Sequence, residues 1–325
     1  MADRRGSGTC PATATQLRGM TQQQPVLIYD RIDQNRRNTF FLMFLFVVLI
    51  AGFATAIGIV VGLPPQYAAI VAVPVLLFAL FSYYASTRIT LAISGARPVT
   101  KEHEPQLYRT VENLCIGAGL PMPQVYVIED GAPNAFATGR DPNHAAVVVT
   151  RGLLQKLDDQ ELQGVIAHEL SHIGNYDIRI MTIVVVLVGI IALLADLMLR
   201  FTIYGAGVRR SNRGRSGGSA AVIIYAIALV AVILTPIAAQ LIRFALSRQR
   251  EYLADASGAL LTRYPEGLAR ALEKISADPD PLEQANKATA HLYIVNPLHD
   301  HKSFLNSFFA THPPIEKRIA LLRAM

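Results

Sequence analysis

Residues 165–173 read Val-Ile-Ala-His-Glu-Leu-Ser-His-Ile, and this stretch decides how the rest of the chain is interpreted. Its two histidines, His168 and His172, are four positions apart, so on a helix they share one face. Their imidazoles can therefore bind one metal ion, and Glu169 lies within reach of a water molecule on that metal. The stretch predicts a zinc site with two histidine ligands and a glutamate as the general base of a hydrolytic reaction.

A third protein ligand must come from elsewhere, because a catalytic zinc ion usually has three protein ligands and one water. Glu251 is the strongest candidate, since it directly follows a long apolar run that would return it to the metal helix. Asp255, one turn further on, would face the same side and accept a hydrogen bond from a ligand histidine. Four histidines are alternative third ligands: His291, His299, His301 and His312.

The composition is more apolar than is usual for a soluble domain. Of 325 residues, 52% are hydrophobic and 17% are charged, and the mean hydropathy is +0.33. The net charge is +6, and the basic residues cluster beside apolar runs, which indicates membrane topology rather than nucleic-acid binding. Cys10 and Cys115 form neither a disulfide framework nor a CxxC metal site.

The N-terminal part divides into a tail and an apolar hairpin. Residues 1–30 are predicted to be a disordered extension without an assigned role. Residues 31–87 are predicted to form a transmembrane hairpin with spans at about 40–63 and 67–86, each long enough to cross a bilayer. Basic residues flank the hairpin and none lies in its turn, which places both flanks in the cytoplasm.

Residues 179–245 are predicted to form a second hydrophobic hairpin around a basic loop at 202–219. If both runs crossed the bilayer, the arginines of this loop would lie outside, against the positive-inside tendency. Asp196 and Pro236 also interrupt the runs and are typical of helices that pack together or line a cavity. A spanning pair and a re-entrant or interfacial hairpin are both open at this stage.

The soluble segments 88–178 and 246–325 are predicted to fold together as the catalytic domain. The first contains two short runs rich in β-branched residues, 125–128 and 145–150, which predict strands, and it ends with the metal helix. The second is polar and helical and contains Glu251. The predicted domain is thus split by the second hydrophobic hairpin.

Residues 145–149 are a candidate edge strand for substrate binding. An extended peptide can add to an exposed sheet edge, where its backbone is read more than its side chains. Val147 and Val148 are therefore substrate-binding candidates, and Asn134 could hold the substrate backbone through its amide. Ordinary packing in the core explains the same β pattern equally well, so both interpretations stay open.

Four motifs together resemble the HtpX heat-shock membrane zinc proteases, prokaryotic relatives of the CAAX prenyl endoproteases. The motifs are His168–His172, Glu251–Asp255, Asn134–Gly139 and His312–Pro314. The resemblance extends from about Arg31 to the C-terminus and includes the positions of all four apolar runs. It implies one zinc ion per chain, with His168, His172 and Glu251 as ligands and Glu169 as the catalytic base. It also implies a gluzincin-type α+β fold, mainly α-helical, with a small sheet and four hydrophobic helices.

The resemblance further implies a multi-pass protease of the cytoplasmic (inner) membrane whose catalytic domain faces the cytoplasm. Its expected partners are the lipid bilayer and polypeptide substrates, namely misfolded or damaged membrane proteins in stress-related quality control. No nucleic-acid partner is expected. A dedicated processing protease of the CAAX type is an alternative. A non-catalytic zinc-dependent scaffold is another, although a pure binder has no need of the base Glu169.

The segment 311–318 resembles a family motif near the active site, and it offers two candidates for stabilising the reaction's oxyanion. These are His312 and Arg318. Arg318 could instead pair with a carboxylate in a structural role at the start of a proline-braced helix. The sequence leaves both roles open.

Overall fold

The chain was analysed as a computed structural model. It describes residues 33, 35, 37–45, 47–48, 51, 68–189, 191, 248–282, 289–290, 292–295 and 313–325. The predictions for the tail 1–30, for the basic loop 202–219 and for most of the second hairpin lie outside these residues. The four histidines proposed as alternative third ligands also lie outside them.

The first half contains both helices and strands, and the second half is helical where it is described. Helix α1 comprises residues 35 and 37–45, followed by α2 (Ala68–Ile93), β1 (Arg97–Pro98), α3 (Pro105–Ala118), β2 (Gln124–Ile128), β3 (Ala135–Gly139) and β4 (Ala145–Thr150). Then come α4 (Arg151–Lys156), α5 (Asp159–Gly174), α6 (Asp177–Gly189), α7 (Arg248–Thr262), α8 (Pro265–Ala277) and α9 (Ile315–Arg323). The described part is mainly helical, as predicted.

A small mixed sheet runs in the order β1-β2-β4-β3. Strand β4 pairs in parallel with β2 and antiparallel with β3. Its alternate residues enter two apolar clusters, Val147 on the side of α5 and Val148 on the side of α6. The prediction that β4 is an exposed edge is therefore wrong. Val147 and Val148 are buried in an inner strand, and β1 and β3 are the two strands at the borders of the described sheet.

Helix α5 has a strongly defined start and an abrupt end. The Asp158 side chain accepts hydrogen bonds from the backbone of Gln160 and Glu161, and the Glu161 side chain accepts one from the backbone of Asp158, which forms a capping box. Acidic residues in the first turn also favour the helix dipole. After Gly174 the backbone turns through Tyr176, whose φ of 59° is left-handed. Helix α6 then departs at 84° to α5, so its first residues lie beside the last turn of α5.

Two glycines allow the backbones of α7 and α8 to pack directly against the backbone of α5. A Cβ on Gly258 of α7 would lie 3.0 Å from the backbone nitrogen of His168, and a Cβ on Gly164 would lie 2.6 Å from that of Leu268 in α8. Both distances are shorter than ordinary side-chain packing allows. These contacts hold α7 and α8 closely against the metal helix.

Helices α1 and α2 bury polar residues and expose apolar ones. The face of α1 formed by Asn35, Thr39 and Leu42 is buried, whereas Phe40 and Phe41 are 75% and 58% exposed. Helix α2 buries a stripe of small polar residues four positions apart and exposes large apolar ones. The stripe is Ser82, Ser86 and Thr90, continued by Ser94 just after the helix, and the exposed residues include Leu77, Phe78, Phe81 and Tyr84. This distribution is the reverse of that on a helix at the surface of a water-soluble domain.

Membrane spans were sought among the described residues. No single helix there combines the length and the hydropathy that crossing a membrane requires. Helices α5 and α6 pass that test only when taken together across their bend. The four predicted spans stay predictions.

Candidate metal centre

Three buried side chains from two helices point at one another. His168 and His172 extend from α5, and Glu251 extends from the first turn of α7. One ligand atom from each lies within 4.8 Å of the other two. The Nε2 atom of His168 is 3.9 Å from one carboxylate oxygen of Glu251, and that of His172 is 3.7 Å from the other. The structure therefore brings together the three residues that the sequence predicted as metal ligands.

The donor set fits zinc. Two imidazole nitrogens and a carboxylate oxygen are ligands that zinc accepts in catalytic sites, where a fourth position is left for water or substrate. Tetrahedral zinc with bonds of about 2.0–2.2 Å separates neighbouring ligand atoms by roughly 3.3–3.5 Å. The two histidine–carboxylate separations of 3.7 and 3.9 Å, each to a different oxygen of Glu251, lie a few tenths of an ångström above that range.

His168 is held from behind by a buried ion pair. Its Nδ1 lies 3.0 Å from Asp255 Oδ1, one turn beyond Glu251 on α7. Arg318 of α9 donates two hydrogen bonds to Asp255, at 2.7 and 2.8 Å, and a third to the Ile294 carbonyl at 3.1 Å. We call Asp255, Arg318 and the Ile294 carbonyl the Asp255 support. Burial opposes ionisation of Asp255, but Arg318 outweighs it and holds the pKa of that carboxyl below its ordinary value.

His172 is held from behind by a different group. Its Nδ1 lies 3.1 Å from Asp177 Oδ2, in the first turn of α6. The other oxygen of Asp177 accepts a hydrogen bond from Asn35 Nδ2 at 2.9 Å, and Arg250 Nε lies 3.9 Å from the same oxygen. We call Asp177, Asn35 and Arg250 the Asp177 support. With a carboxylate at each Nδ1, both imidazoles direct Nε2 towards Glu251.

The carboxylates around the histidines favour a positive charge in the centre. Burial disfavours the charged form of His172, but Asp177 and Glu251 outweigh it and raise the pKa of His172 to about 9. For His168, burial prevails over Asp255 and lowers the pKa. A metal ion competes with protons for imidazole nitrogens. The groups that stabilise a proton on His172 thus stabilise a divalent cation at the same place.

Glu169 lies beside the centre and is 2% exposed. Burial, the largest influence, raises the pKa of Glu169 to about 7. The backbone N–H of Ala137 in β3 donates a hydrogen bond to its carboxylate. A carboxyl group with a pKa near neutrality can both accept and release a proton at physiological pH.

The other predicted site residues have different environments. Asn134 is buried, and its side chain bonds to the backbone of Val295 and Ala135 at 2.9 and 3.1 Å. It anchors the 292–295 segment against β3, and its predicted contact with substrate stays a prediction. Arg318 is fully buried in its ion pair, which is the structural alternative considered from the sequence. His312 lies outside the described residues.

Asp177 and Asn35 are two residues of the site that were not predicted from the sequence. Asp177 follows His172 by only five positions, and a carboxylate this close after a metal helix is a usable signal for a histidine partner. The bend after Gly174 that brings it back is not visible in the sequence. Asn35 offered no signal, because it lies 142 positions before Asp177.

The fold and the site define a class of protein. A buried His-Glu-x-x-His helix, with a glutamate from a later helix beside both histidines, is the arrangement of the HExxH metallopeptidases. Peptidase family M48 matches residues 101–325, which is more than half of the chain. The chain belongs to this family and is a metalloprotease.

Relatives from several bacteria match over almost the full length. A "Protease HtpX homolog" from Dictyoglomus thermophilum is 47% identical over 303 residues, covering 93% of this chain and 96% of that protein. One from Tropheryma whipplei is 45% identical and covers 92% and 99%, and one from Listeria monocytogenes is 45% identical and covers 92% and 100%. The resemblance to the HtpX proteases is therefore confirmed. The crystal structure of S. mikatae Ste24p aligns with a TM-score of 0.46 and 20% identity, over 86% of this chain and 61% of that one.

Proposed function

We propose that this chain is a membrane-bound zinc endopeptidase that cleaves misfolded or damaged membrane proteins. One zinc ion per chain is held by His168, His172 and Glu251, and Glu169 is the general base. The observation that carries the proposal is the convergence of three buried ligand atoms within 4.8 Å, beside a buried glutamate whose pKa is raised to about 7.

The chain's own groups move the protons of the reaction. When bound, zinc supplies Lewis acidity at the scissile carbonyl and lowers the pKa of water. Glu169 accepts the proton of the attacking water and later delivers it to the leaving amine, and its raised pKa suits both steps. Asp255 and Asp177 hold the two imidazoles in the tautomer that directs Nε2 towards the metal.

The substrate backbone is proposed to pair with β3 rather than with β4. On the outer side of β3, the Ala135 carbonyl accepts a hydrogen bond from Ile294, and the Gly139 N–H donates one to Thr182. Between them, the Ala137 N–H faces Glu169. Backbone groups alternate in direction along a strand, so the Ala137 carbonyl faces the same outer side. Since the Ala135 carbonyl and the N–H groups of Ala137 and Gly139 already have partners, a substrate N–H would bond to the Ala137 carbonyl, which places the substrate backbone next to the base.

A membrane location is supported by the apolar side chains exposed on helices α1 and α2. Apolar side chains cover the outer faces of α1 and α2, and polar ones their inner faces. Such an outer face is stable against lipid and costly against water. The basic flanks of the first hairpin favour a cytoplasmic catalytic domain. Proposed partners are therefore the bilayer and polypeptides, and no nucleic acid.

Substituting Glu169 tests the catalytic assignment. In detergent-purified protein, Glu169→Gln should retain one zinc per chain and lose casein cleavage by roughly 10²–10⁴-fold, which is the usual contribution of a general base. Glu273→Gln is the matched control, because Glu273 is exposed on α8 and bonded only to Arg323 among the residues described here. Undiminished cleavage by Glu169→Gln would contradict the mechanism.

The substrate range separates the quality-control protease from the processing protease. A quality-control enzyme should cleave several unfolded membrane proteins at many positions, because backbone pairing selects little sequence. A CAAX-type enzyme should cleave one bond near a modified C-terminus. Mass spectrometry of products from wild type, with Glu169→Gln as the blank, decides between them.

A further inference from the structure

The side chain of Asn35 connects α1 to the back of the metal centre. Its Nδ2 donates to Asp177 Oδ1 at 2.9 Å and to the Asn175 carbonyl at 3.0 Å. Its Oδ1 accepts a hydrogen bond from Arg250 at 3.4 Å. Two acceptors on one side and a donor on the other allow only one orientation of the amide. Both hydrogens of the amide nitrogen are thus used.

Each partner of Asn35 adjoins a residue of the proposed metal centre. Asp177 contacts His172, and Arg250 immediately precedes Glu251. The Asn175 carbonyl belongs to the residue that caps the end of α5. Asn35 itself is 4% exposed and Asp177 is 2% exposed. Hydrogen bonds in such a buried network hold their members more rigidly than the same bonds in water.

Other buried residues of α1 do not make this connection. The Thr39 hydroxyl donates to the Asn35 carbonyl of its own helix at 2.8 Å, and Leu42 packs in the apolar cluster around α6. Asparagine suits position 35 because it provides two donors and one acceptor on a short side chain. A leucine there would leave a buried carboxylate oxygen without this donor, and an aspartate would bring two carboxylates together.

We infer that Asn35 is a positioning residue for the metal centre. It orients the Asp177 carboxylate, which in turn fixes His172, and so it raises the affinity of the centre for zinc. It contacts neither the metal nor the substrate. This inference rests on the proposed function, because it assigns a role towards the proposed zinc ion.

Zinc affinity tests the inference directly. Affinity is measured by competition with a chromophoric chelator, and the ligand geometry by the visible absorption of Co²⁺-loaded protein. Direct outer partners of metal-bound histidines change metal affinity by about 10–100-fold, so Asn35→Ala, one bond further away, should lower it by about tenfold and shift the Co²⁺ bands. Thr39→Val is the matched control and should stay close to wild type. Asn35→Asp keeps the side-chain volume and should lower zinc affinity by at least the same factor. This second variant tests the inference if the alanine variant does not accumulate.

A double-mutant cycle separates positioning from general stability. If Asn35 acts through Asp177, Asn35→Ala should change zinc affinity little once Asp177→Ala is present. A loss of the same size in both backgrounds would overturn the inference, as would wild-type affinity in both Asn35 variants. Wild type without zinc or cleavage would instead overturn the proposed function itself. The two failures are therefore distinguishable.

Discussion

The two supports behind the histidines perform the same task with different chemistry. The Asp255 support relies on a guanidinium that donates two short hydrogen bonds to the carboxylate, and both partners are buried. In the Asp177 support, a neutral amide donates the 2.9 Å bond and the Arg250 guanidinium remains 3.9 Å away. Both carboxylates accept charge-assisted hydrogen bonds, but the guanidinium supplies two parallel bonds and its own positive charge, whereas the amide supplies one bond. The first support is thus the more rigid, and the second depends on a helix from the far N-terminal side.

This difference separates stability from metal affinity. Removing one partner of a buried ion pair leaves an uncompensated charge, which damages the whole fold. Removing a neutral donor leaves one oxygen of a buried carboxylate without a partner, which costs about 1–3 kcal/mol and loosens the group that the donor oriented. We therefore expect changes in the Asp255 support to lower the free energy of unfolding more than changes in the Asp177 support, which should act mainly on zinc binding.

The largest effect is expected from substituting Glu251, the ligand that lies beside both histidines. Each oxygen of Glu251 faces one histidine, so Glu251→Ala should abolish both zinc binding and casein cleavage. Metal analysis of the purified variant checks this, with Glu273→Gln as the control. Retained zinc would mean that a histidine outside the described residues supplies the third ligand.

Arg318→Met should be the next most damaging change. Asp255 would remain buried without its cationic partner, which costs about 3–5 kcal/mol in the free energy of unfolding. The melting temperature in detergent measures the loss. Arg323→Met, at the exposed end of the same helix, is the control and should melt close to wild type. An unchanged melting temperature for Arg318→Met would remove the distinction between the supports.

Neutralising each aspartate compares the supports directly. Asp255→Asn and Asp177→Asn should each lower zinc affinity by about 10–100-fold, as for other partners of metal-bound histidines. Asp255→Asn should have the larger effect, because it also removes the carboxylate to which Arg318 is hydrogen-bonded and leaves Arg318 with Glu251 at 3.7 Å. Chelator competition measures both variants. The opposite order would show that the amide-based support is the stronger.

Gly258→Ala should have the smallest effect and should act on one support only. The new methyl group would lie 3.0 Å from the backbone of His168, so α7, with Glu251 and Asp255, must shift slightly. Overpacking of this kind typically costs about 1–3 kcal/mol. Gly117→Ala is the control, because its nearest neighbour is the flexible end of Leu261 at 3.4 Å. Equal melting temperatures for the two variants would contradict the close packing described here.

Local spacing made part of the site predictable. His168, Glu169 and His172 lie within one helical turn, and Glu251 and Asp255 lie one turn apart, so each group shares a helix face whatever the tertiary fold. The meeting of the two groups was predicted from the return of the chain after an apolar run and from the family resemblance. Both histidine–carboxylate distances are outcomes of packing that no spacing encodes.

The order of the strands in the sheet was harder to predict from the sequence. The strand 145–149 reads Ala-Ala-Val-Val-Val, and such a continuous apolar run is typical of a strand covered on both faces. That signal favoured a central strand over the predicted edge. Asp177 was hidden by the sharp turn at Tyr176, and Asn35 by its distance along the chain, because sequence periodicity reports only on neighbours within an element.

The contact between Arg318 and Asp255 has a consequence for the timing of maturation. The two residues are 63 positions apart, and proteins fold progressively from the N-terminal side as the ribosome releases them. A nascent chain therefore exposes the His-Glu-x-x-His helix well before α9 arrives to complete the Asp255 support. We expect chains stalled before Ile315 to bind zinc poorly in chelator competition. The enzyme would then be unable to cleave neighbouring proteins until α9 has been synthesised.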